Sequence, residues 1–481
     1  MTAVVALDAA TAEEEHTSWR WWVLSSTSLA SLLAALNTST LVIALPDLIR
    51  QLHTSVFAAT WVLLAYILAQ SACVLTAGRL GDMFGRRPLY IGGIAGFTAA
   101  ALLSGFAPDA PSLIALRVLA GACGALVIAS SSAIVTDAFP RRELGLALGI
   151  NGMTIAVGSA LGPVLGGWLV GFGWQWIFWF NVPLGVLCTL WAAVILREPR
   201  RTRSPERLDI AGNAVFVTTL CGLLVGLSMG GLEGWTHPAV ITGFAVFVVG
   251  LPLFLRIELS REYALLDLHL FRNRLFAIAN LTQLVNGTAR IGLLFLLVFY
   301  FQGPQQKDAV TAGVLTVPLA AIIVIASPLS GWISDRIGSR LPSSIGMALT
   351  SAGLLGMAAV LRIDTPYWQL AAFMAVVGLG AGIFQSPNAQ AIMGSVRAEQ
   401  RGVASGVRLL GSFIGVMLSI AFVLAIVTSS LPHEVTLRIF SGVTAGIDPS
   451  QLTSFMNGVR TALLTLGLLN AALVPVSLRR G

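Results

Sequence analysis

Fourteen apolar stretches of at least eighteen residues follow one another along a chain of 481 residues. Each is long enough to cross a hydrocarbon layer about 30 Å thick as a helix. The stretches lie at 21–45, 56–77, 89–107, 112–136, 145–171, 176–196, 210–230, 238–256, 276–302, 310–333, 342–361, 367–391, 402–429 and 457–478. No water satisfies backbone N–H and C=O groups in hydrocarbon, so a crossing segment must bond its backbone within itself, as a helix does. With 56% hydrophobic and 11% charged residues, the chain has too little polar surface to cover itself in water. An all-α integral membrane protein with fourteen transmembrane helices is expected.

A net charge of +7 would suit a polyanionic partner, but the placement of the basic residues argues otherwise. Of the 29 Lys and Arg residues, 21 fall in alternate loops and at the two ends, among them Arg79, Arg86, Arg87, Arg141, Arg142, Arg197, Arg200, Arg201 and Arg203. Such a bias marks the cytoplasmic side. An even number of spans returns Arg479 and Arg480 to the side of the N-terminus, so both termini are expected inside and nucleic acid is not expected as a partner. Residues 1–20 carry Glu13, Glu14 and Glu15 and no apolar core before Trp21, which reads as a cytoplasmic tail.

Cys73, Cys123, Cys188 and Cys221 lie in apolar stretches without metal-like spacing and read as small buried hydrophobes. Lys307 is the only lysine and sits in an outer loop, which leaves neither a phosphate-gripping lysine loop nor a Schiff-base site. His16, His53, His237, His269 and His433 all fall outside the spans. No metal, cofactor or enzymatic acid–base constellation is expected.

One repeat organises the chain. Gly78, Asp82, Gly85 and Arg87, between the second and third spans, recur as Gly331, Asp335, Gly338 and Arg340, between the tenth and eleventh, 253 residues later. Six-helix repeats would place such loops six spans apart, whereas here the separation is eight, so two helices are inserted between the halves. The expected organisation is a tail at 1–20, a six-helix bundle at 21–196, linkers and two extra helices at 197–275, and a second six-helix bundle with a short tail at 276–481.

The first of these loops resembles the signature loop of the major facilitator superfamily, Gly-x-x-x-Asp-x-x-Gly-Arg-Arg/Lys. Residues 113–121, with Arg117 and Gly121, resemble that family's second motif, and residues 158–167, with Gly158, Gly162, Pro163, Gly166 and Gly167, its antiporter motif. Fourteen spans together with Trp174 to Pro183 are similar to the drug:proton antiporter branch. The resemblance implies two bundles that rock about a midplane cavity. It also implies an inner gate at Gly78, Asp82, Gly85, Arg86 and Arg87, with Asp335, Gly338 and Arg340 as the second-half equivalent. Read from the residues alone, the arginines could equally serve only to hold the loop inside. The glycines spaced by four permit close helix packing with or without antiport, and Pro163 favours a kink.

Arg117, Arg290 and Arg408 sit inside apolar stretches, and no Asp, Glu, His or Lys does. A charge at that depth costs about 3 kcal/mol on insertion scales and marks a protein-lined or watery interior. Asn280, Gln283, Gly287 and Arg290, with Asn286 adjacent, form a polar stripe on the ninth span that is expected to face the cavity, although Arg290 could instead pair with carbonyls or a neighbouring helix. Gln385 and Asn388 are expected to add to the cavity from the twelfth span, and Asn37, Arg117 and Arg408 to line it as well, although Arg408 could instead be structural. The branch commonly has an aspartate in the first span where this chain has Asn37, and an amide does not titrate at physiological pH. The expected function is export of anionic or neutral amphipathic molecules, proton-coupled despite Asn37, by a monomer in contact with membrane lipids. A lipid-type transporter and an uncoupled facilitator are the alternatives.

Overall fold

The computed structural model describes residues 2–140, 143–197, 209–260, 268–397, 400–429, 431–443 and 446–480, with the side chains of residues 2–18, 82, 144, 145, 148, 401 and 402 outside that description. The first half contains α1 (Thr2–Gln51), α2 (Val56–Phe84), α3 (Arg86–Ser104), α4 (Ala110–Ala138), α5 (Leu144–Val170), α6 (Trp176–Trp179) and α7 (Asn181–Ile195). Two inserted helices follow, α8 (Ile210–Glu233) and α9 (Pro238–Ser260). The second half contains α10 (Arg274–Gln302), α11 (Ala309–Leu315), α12 (Val317–Ile337), α13 (Arg340–Val360), α14 (Tyr367–Gly394), α15 (Arg401–Thr428), α16 (His433–Phe440), α17 (Pro449–Ala472) and α18 (Val474–Leu478).

Among the described residues, 13 helical segments are long and apolar enough to cross a membrane. The remaining expected span is occupied by α3, whose opening Arg86 and Arg87 lower its mean hydropathy. The expected tenth span divides into α11 and α12 next to Pro318, and the fourteenth into α17 and α18 next to Pro475, because proline withholds an N–H from the helical ladder. The short helix α16 was not legible, since its eight residues are too few to show as a span.

Local chemistry sets the outer helix starts. Asp109, Asp308 and Asp448 accept hydrogen bonds from the first-turn amides of α4, α11 and α17, supplying partners for donors that the helix cannot satisfy. The two signature loops turn on glycine at positive φ, 99° at Gly85 and 82° at Gly338, which is the same position after adding 253 to 85.

The halves pack by one scheme. In the first, α1 lies along α5, α2 along α4, and α3 against α4 and α7; in the second, α10 lies along α15, α12 along α14, and α13 against α14 and α17. The 253-residue offset carries Gly158 and Gly162 of α5 to Gly411 and Gly415 of α15. A Cβ at Gly162 would fall within 1.7 Å of Ser39 Oγ on α1, and one at Gly415 within 2.8 Å of the Leu284 carbonyl on α10. The inserted pair rests on the same seam of both halves. Asn213 of α8 donates to Thr76 of α2 at 3.4 Å, and Gly231 of α8 abuts Ala425 of α15.

Candidate functional site: membrane-embedded guanidinium groups

Gly121 of α4 lies so close to α2 that a Cβ there would sit 2.2 Å from the Tyr66 carbonyl, and this approach sets the Tyr66 ring against Arg117. The Arg117 guanidinium is 4.2 Å from the centre of that ring and 5.7 Å from that of Phe178. Its Nε donates to the Val62 carbonyl at 3.2 Å and its Nη1 to Asn37 Oδ1 at 3.0 Å. At 1% exposure, Arg117 lies in the core of the first bundle rather than on an open cavity wall. Among the described residues it forms no ion pair, and Asn37 occupies the place where a carboxylate would have formed one.

In the second half, the polar stripe of α10 divides between partners. Asn280 turns back onto the Phe276 carbonyl at 2.9 Å, and Asn286 donates to Thr350 of α13 at 3.4 Å. Gln283 accepts from Asn388 of α14 at 3.0 Å and donates to Ser412 of α15 at 3.1 Å. These buried amides tie α10 to its own bundle. Gly287 and Arg290 remain: a Cβ at Gly287 would meet no atom within 4 Å, and Arg290 is half-buried with no hydrogen bond or ion pair among the described residues. Arg290 lies 16 residues after Arg274 and 12 before Gln302, close to the middle of α10.

The pairs Gln283–Ser412 and Thr288–Ser419 set α10 and α15 parallel with offsets of 129 and 131 residues. Arg408 is therefore level with residue 279 of α10, roughly 16 Å nearer the cytoplasmic end than Arg290 at 1.5 Å per residue. Arg408 Nε is buried without a partner, and Gly411 one turn on faces open space. Gln385 is exposed on α14, between the contacts of that helix with α10 through Asn388 and with α12 through Gly382 and Ser386.

The cytoplasmic loops differ between the halves. Arg86 pairs with Asp137 at 2.5 Å, joining the start of α3 to the end of α4, and Arg87 donates to the Ala193 carbonyl of α7 at 2.9 Å. The Asp82 side chain is outside the described residues. The offset carries Asp137 to Gln390 and Arg86 to Ser339, so the second half has a neutral counterpart. Gln390 donates to Asp335 at 2.9 Å and accepts from Ser334 at 2.6 Å, while exposed Arg340 has no partner among the described residues.

On the side opposite the arginine-rich loops the bundles meet backbone to backbone. A Cβ at Gly167 of α5 would lie 2.4 Å from the Ala309 carbonyl of α11, and one at Gly313 would lie 2.3 Å from the Pro163 carbonyl. Gln302 of α10 donates to the Ile43 carbonyl of α1 at 3.0 Å. The glycines of residues 158–167 thus serve two interfaces, with Gly158, Gly162 and Gly166 facing α1 and Gly167 facing the other half.

Residues 27–420 match the Major Facilitator Superfamily. The chain belongs to the major facilitator superfamily. The transporter is 29% identical over 416 residues to the tetracenomycin C resistance and export protein of Streptomyces glaucescens, covering 86% of this chain and 77% of that one. It is 30% identical over 406 residues to the riboflavin transporter RibZ of Clostridioides difficile, covering 84% and 86%. It is 31% identical over 401 residues to the multidrug resistance protein Stp of Mycobacterium tuberculosis, covering 82% and 74%. Its fold is similar to that of a bacterial homologue of the human lysosomal transporter Spinster, captured inward-facing and unoccupied, with a TM-score of 0.69, 17% identity and coverage of 96% and 97%. It is therefore a multi-pass transporter of the cell membrane that moves small molecules and is not an enzyme.

Two features of the transporter lay outside the sequence expectations. Arg480 is 2% exposed and donates to Thr282, reaching between α10 and the C-terminal segment, and burial pulls its guanidinium down to about 10. Glu258, beyond the expected end of the eighth span, is buried in α9, and a Cβ on Gly212 would meet both its Oε1 and Asp209 Oδ2. Adding 253 to Asp137 would have found Gln390; no local signal marks Arg480, which is near the site only through tertiary packing.

Proposed function

We propose that this transporter exports anionic or neutral amphipathic molecules by alternating access, with Arg290 as the residue that meets the cargo. The observation that carries this reading is an unpartnered guanidinium near the middle of α10, beside open space at Gly287. A cationic drug would meet like charge there without a carboxylate to offset it. A carboxylate or phosphate can instead take two parallel N–H···O bonds from one guanidinium. Arg408 nearer the cytoplasm and exposed Gln385 extend the same polarity, and the relatives named for export and drug resistance support the outward direction.

Proton coupling would have to use a carboxylate outside the middle of α1, since Asn37 binds and releases no proton at physiological pH. That substitution favours a second reading, facilitated diffusion without coupling. Reconstitution into liposomes with an imposed pH gradient and a panel of anionic, neutral and cationic amphiphiles tests both. Gradient-driven movement of anions supports coupled export, and gradient-independent flux supports the facilitator. Preferential transport of cations would exclude the role given to Arg290, and movement of lipid analogues alone would point to a lipid carrier.

A further inference from the structure

Asn37 and Arg117 each keep one buried donor that makes no hydrogen bond, beside a Tyr66 hydroxyl that already accepts from Gln70 at 3.2 Å. Arg117 Nη2 and Asn37 Nδ2 are buried without a hydrogen-bond partner among the described residues. Both belong to the groups joined by the 3.0 Å bond from Nη1 to Oδ1, so the orphan donors lie within two covalent bonds of that contact. Flipping the Asn37 amide would not help, because it would aim a donor at Nη1.

The charge is also uncompensated. Arg117 meets only partial negative charge, from two carbonyl-type oxygens, two ring faces and the neutral Tyr66 hydroxyl. The acids of the surrounding elements are elsewhere. On α1, Asp47 is ten residues beyond Asn37 and pairs with Arg50; on α4, the exposed N-cap Asp109 is eight residues before Arg117 and is engaged by Ser112, and Asp137 is twenty residues beyond Arg117 and pairs with Arg86. On α2, Asp82 is twenty residues beyond Val62, roughly 30 Å along the helix, and α6 has no acid. Burying an ion without an opposite charge costs several kcal/mol, and each unmet buried donor adds to it.

We infer that Arg117 and Asn37 hold a small inorganic anion of the halide class inside the first bundle. A single atom can accept from both orphan donors at once and supplies the missing negative charge. Tyr66, Phe178 and Val62 all pack directly on the guanidinium, so the ion is a small one. A bound water would satisfy the donors and leave the charge unbalanced. The site is separate from Arg290, which lies in the other half, and does not depend on the cargo proposed for it.

The test uses the purified full chain in detergent, with its thermal midpoint followed as chloride replaces gluconate at constant sodium concentration. The midpoint is expected to rise and then saturate with chloride, as binding to the folded state alone requires. Asn37→Asp supplies a fixed carboxylate to Arg117, so its midpoint should be raised in gluconate and lose the chloride response. Arg117→Gln removes the cation and should lose the response too, so either variant serves if the other does not fold. Arg290→Ala should keep it. Equal midpoints for the native chain in both salts, or a full chloride response in Asn37→Asp or Arg117→Gln, would overturn the site. A response lost only in Arg290→Ala would move the anion to the central cavity, leaving the cargo proposal standing and this one refuted.

Discussion

Gly167 offers the sharpest perturbation of the outer seam. A Cβ there would stand 2.4 Å from the Ala309 carbonyl, where ordinary contact begins at 3.4 Å, so α5 and α11 must separate by about 1.0 Å (3.4 minus 2.4). Both partners are backbone, and neither can rotate away. Overpacking of this kind costs about 1–3 kcal/mol, while the helix-propensity gain of alanine is the same in open and closed forms and cancels between them. The penalty falls only on conformations in which the two halves touch here. Gly167→Ala should therefore shift the population toward the outward-open form roughly five- to 150-fold, corresponding to about 1–3 kcal/mol. Disulfide trapping between Ile43→Cys and Gln302→Cys, whose parents are joined by a 3.0 Å bond, reports closure in a background lacking the four native cysteines. Trapping should fall with Gly167→Ala and remain unchanged with Gly149→Ala or Gly152→Ala, whose Cβ atoms would meet nothing within 4 Å. Equal trapping in Gly167→Ala and the parent, or an equal loss in the two controls, would refute the steric reasoning.

Other consequences are as direct. Arg290→Ala should lower kcat/KM for anionic cargo by roughly ten- to a hundred-fold, the loss of about 1.5–3 kcal/mol of charge-assisted hydrogen bonding, while neutral cargo is spared; flux assays on matched pairs decide it. Gly212→Ala places a Cβ 2.3 Å from Oδ2 of Asp209, which caps α8, and 2.9 Å from Glu258 Oε1 of α9, so the thermal midpoint should drop as the cap and the α8–α9 contact are disturbed, by an overpacking cost of about 1–3 kcal/mol. Breaking the partly exposed Arg86–Asp137 pair with Asp137→Asn should change stability by no more than about 1 kcal/mol, so any large fall in transport reports gating rather than unfolding. The caps Asp109, Asp308 and Asp448 are held below the usual carboxylate range by hydrogen bonds from Ser112, Thr311 and Ser450. Their folded values are depressed, so the stabilisation is complete above the unfolded value of about 4 and is lost as pH falls through the folded value. Acid titration of the midpoint should be shallower in Asp308→Asn than in the parent.

The sequence by itself determined the class of fold and its internal symmetry. Apolar length, the bias of arginine among loops and the recurrence of Gly78, Asp82, Gly85 and Arg87 are local properties, and the bilayer allows few ways to satisfy them. The membrane arginines were legible for the same reason, because charge in an apolar stretch is conspicuous without any knowledge of its neighbours. Only the tertiary structure decided what those arginines meet. Asn37 and Arg117 are 80 residues apart in sequence, and Gly121 brings α2 close enough for Tyr66 to complete their cluster. Asn286, on the same stripe as Arg290, turns instead to Thr350, because a helix's rotation about its own axis is set by what packs around it and not by its own pattern. Periodicity gives the faces of a helix; the partner of each face, and hence whether a buried polar group is satisfied or left available to a ligand, follows from contacts between residues far apart in the chain.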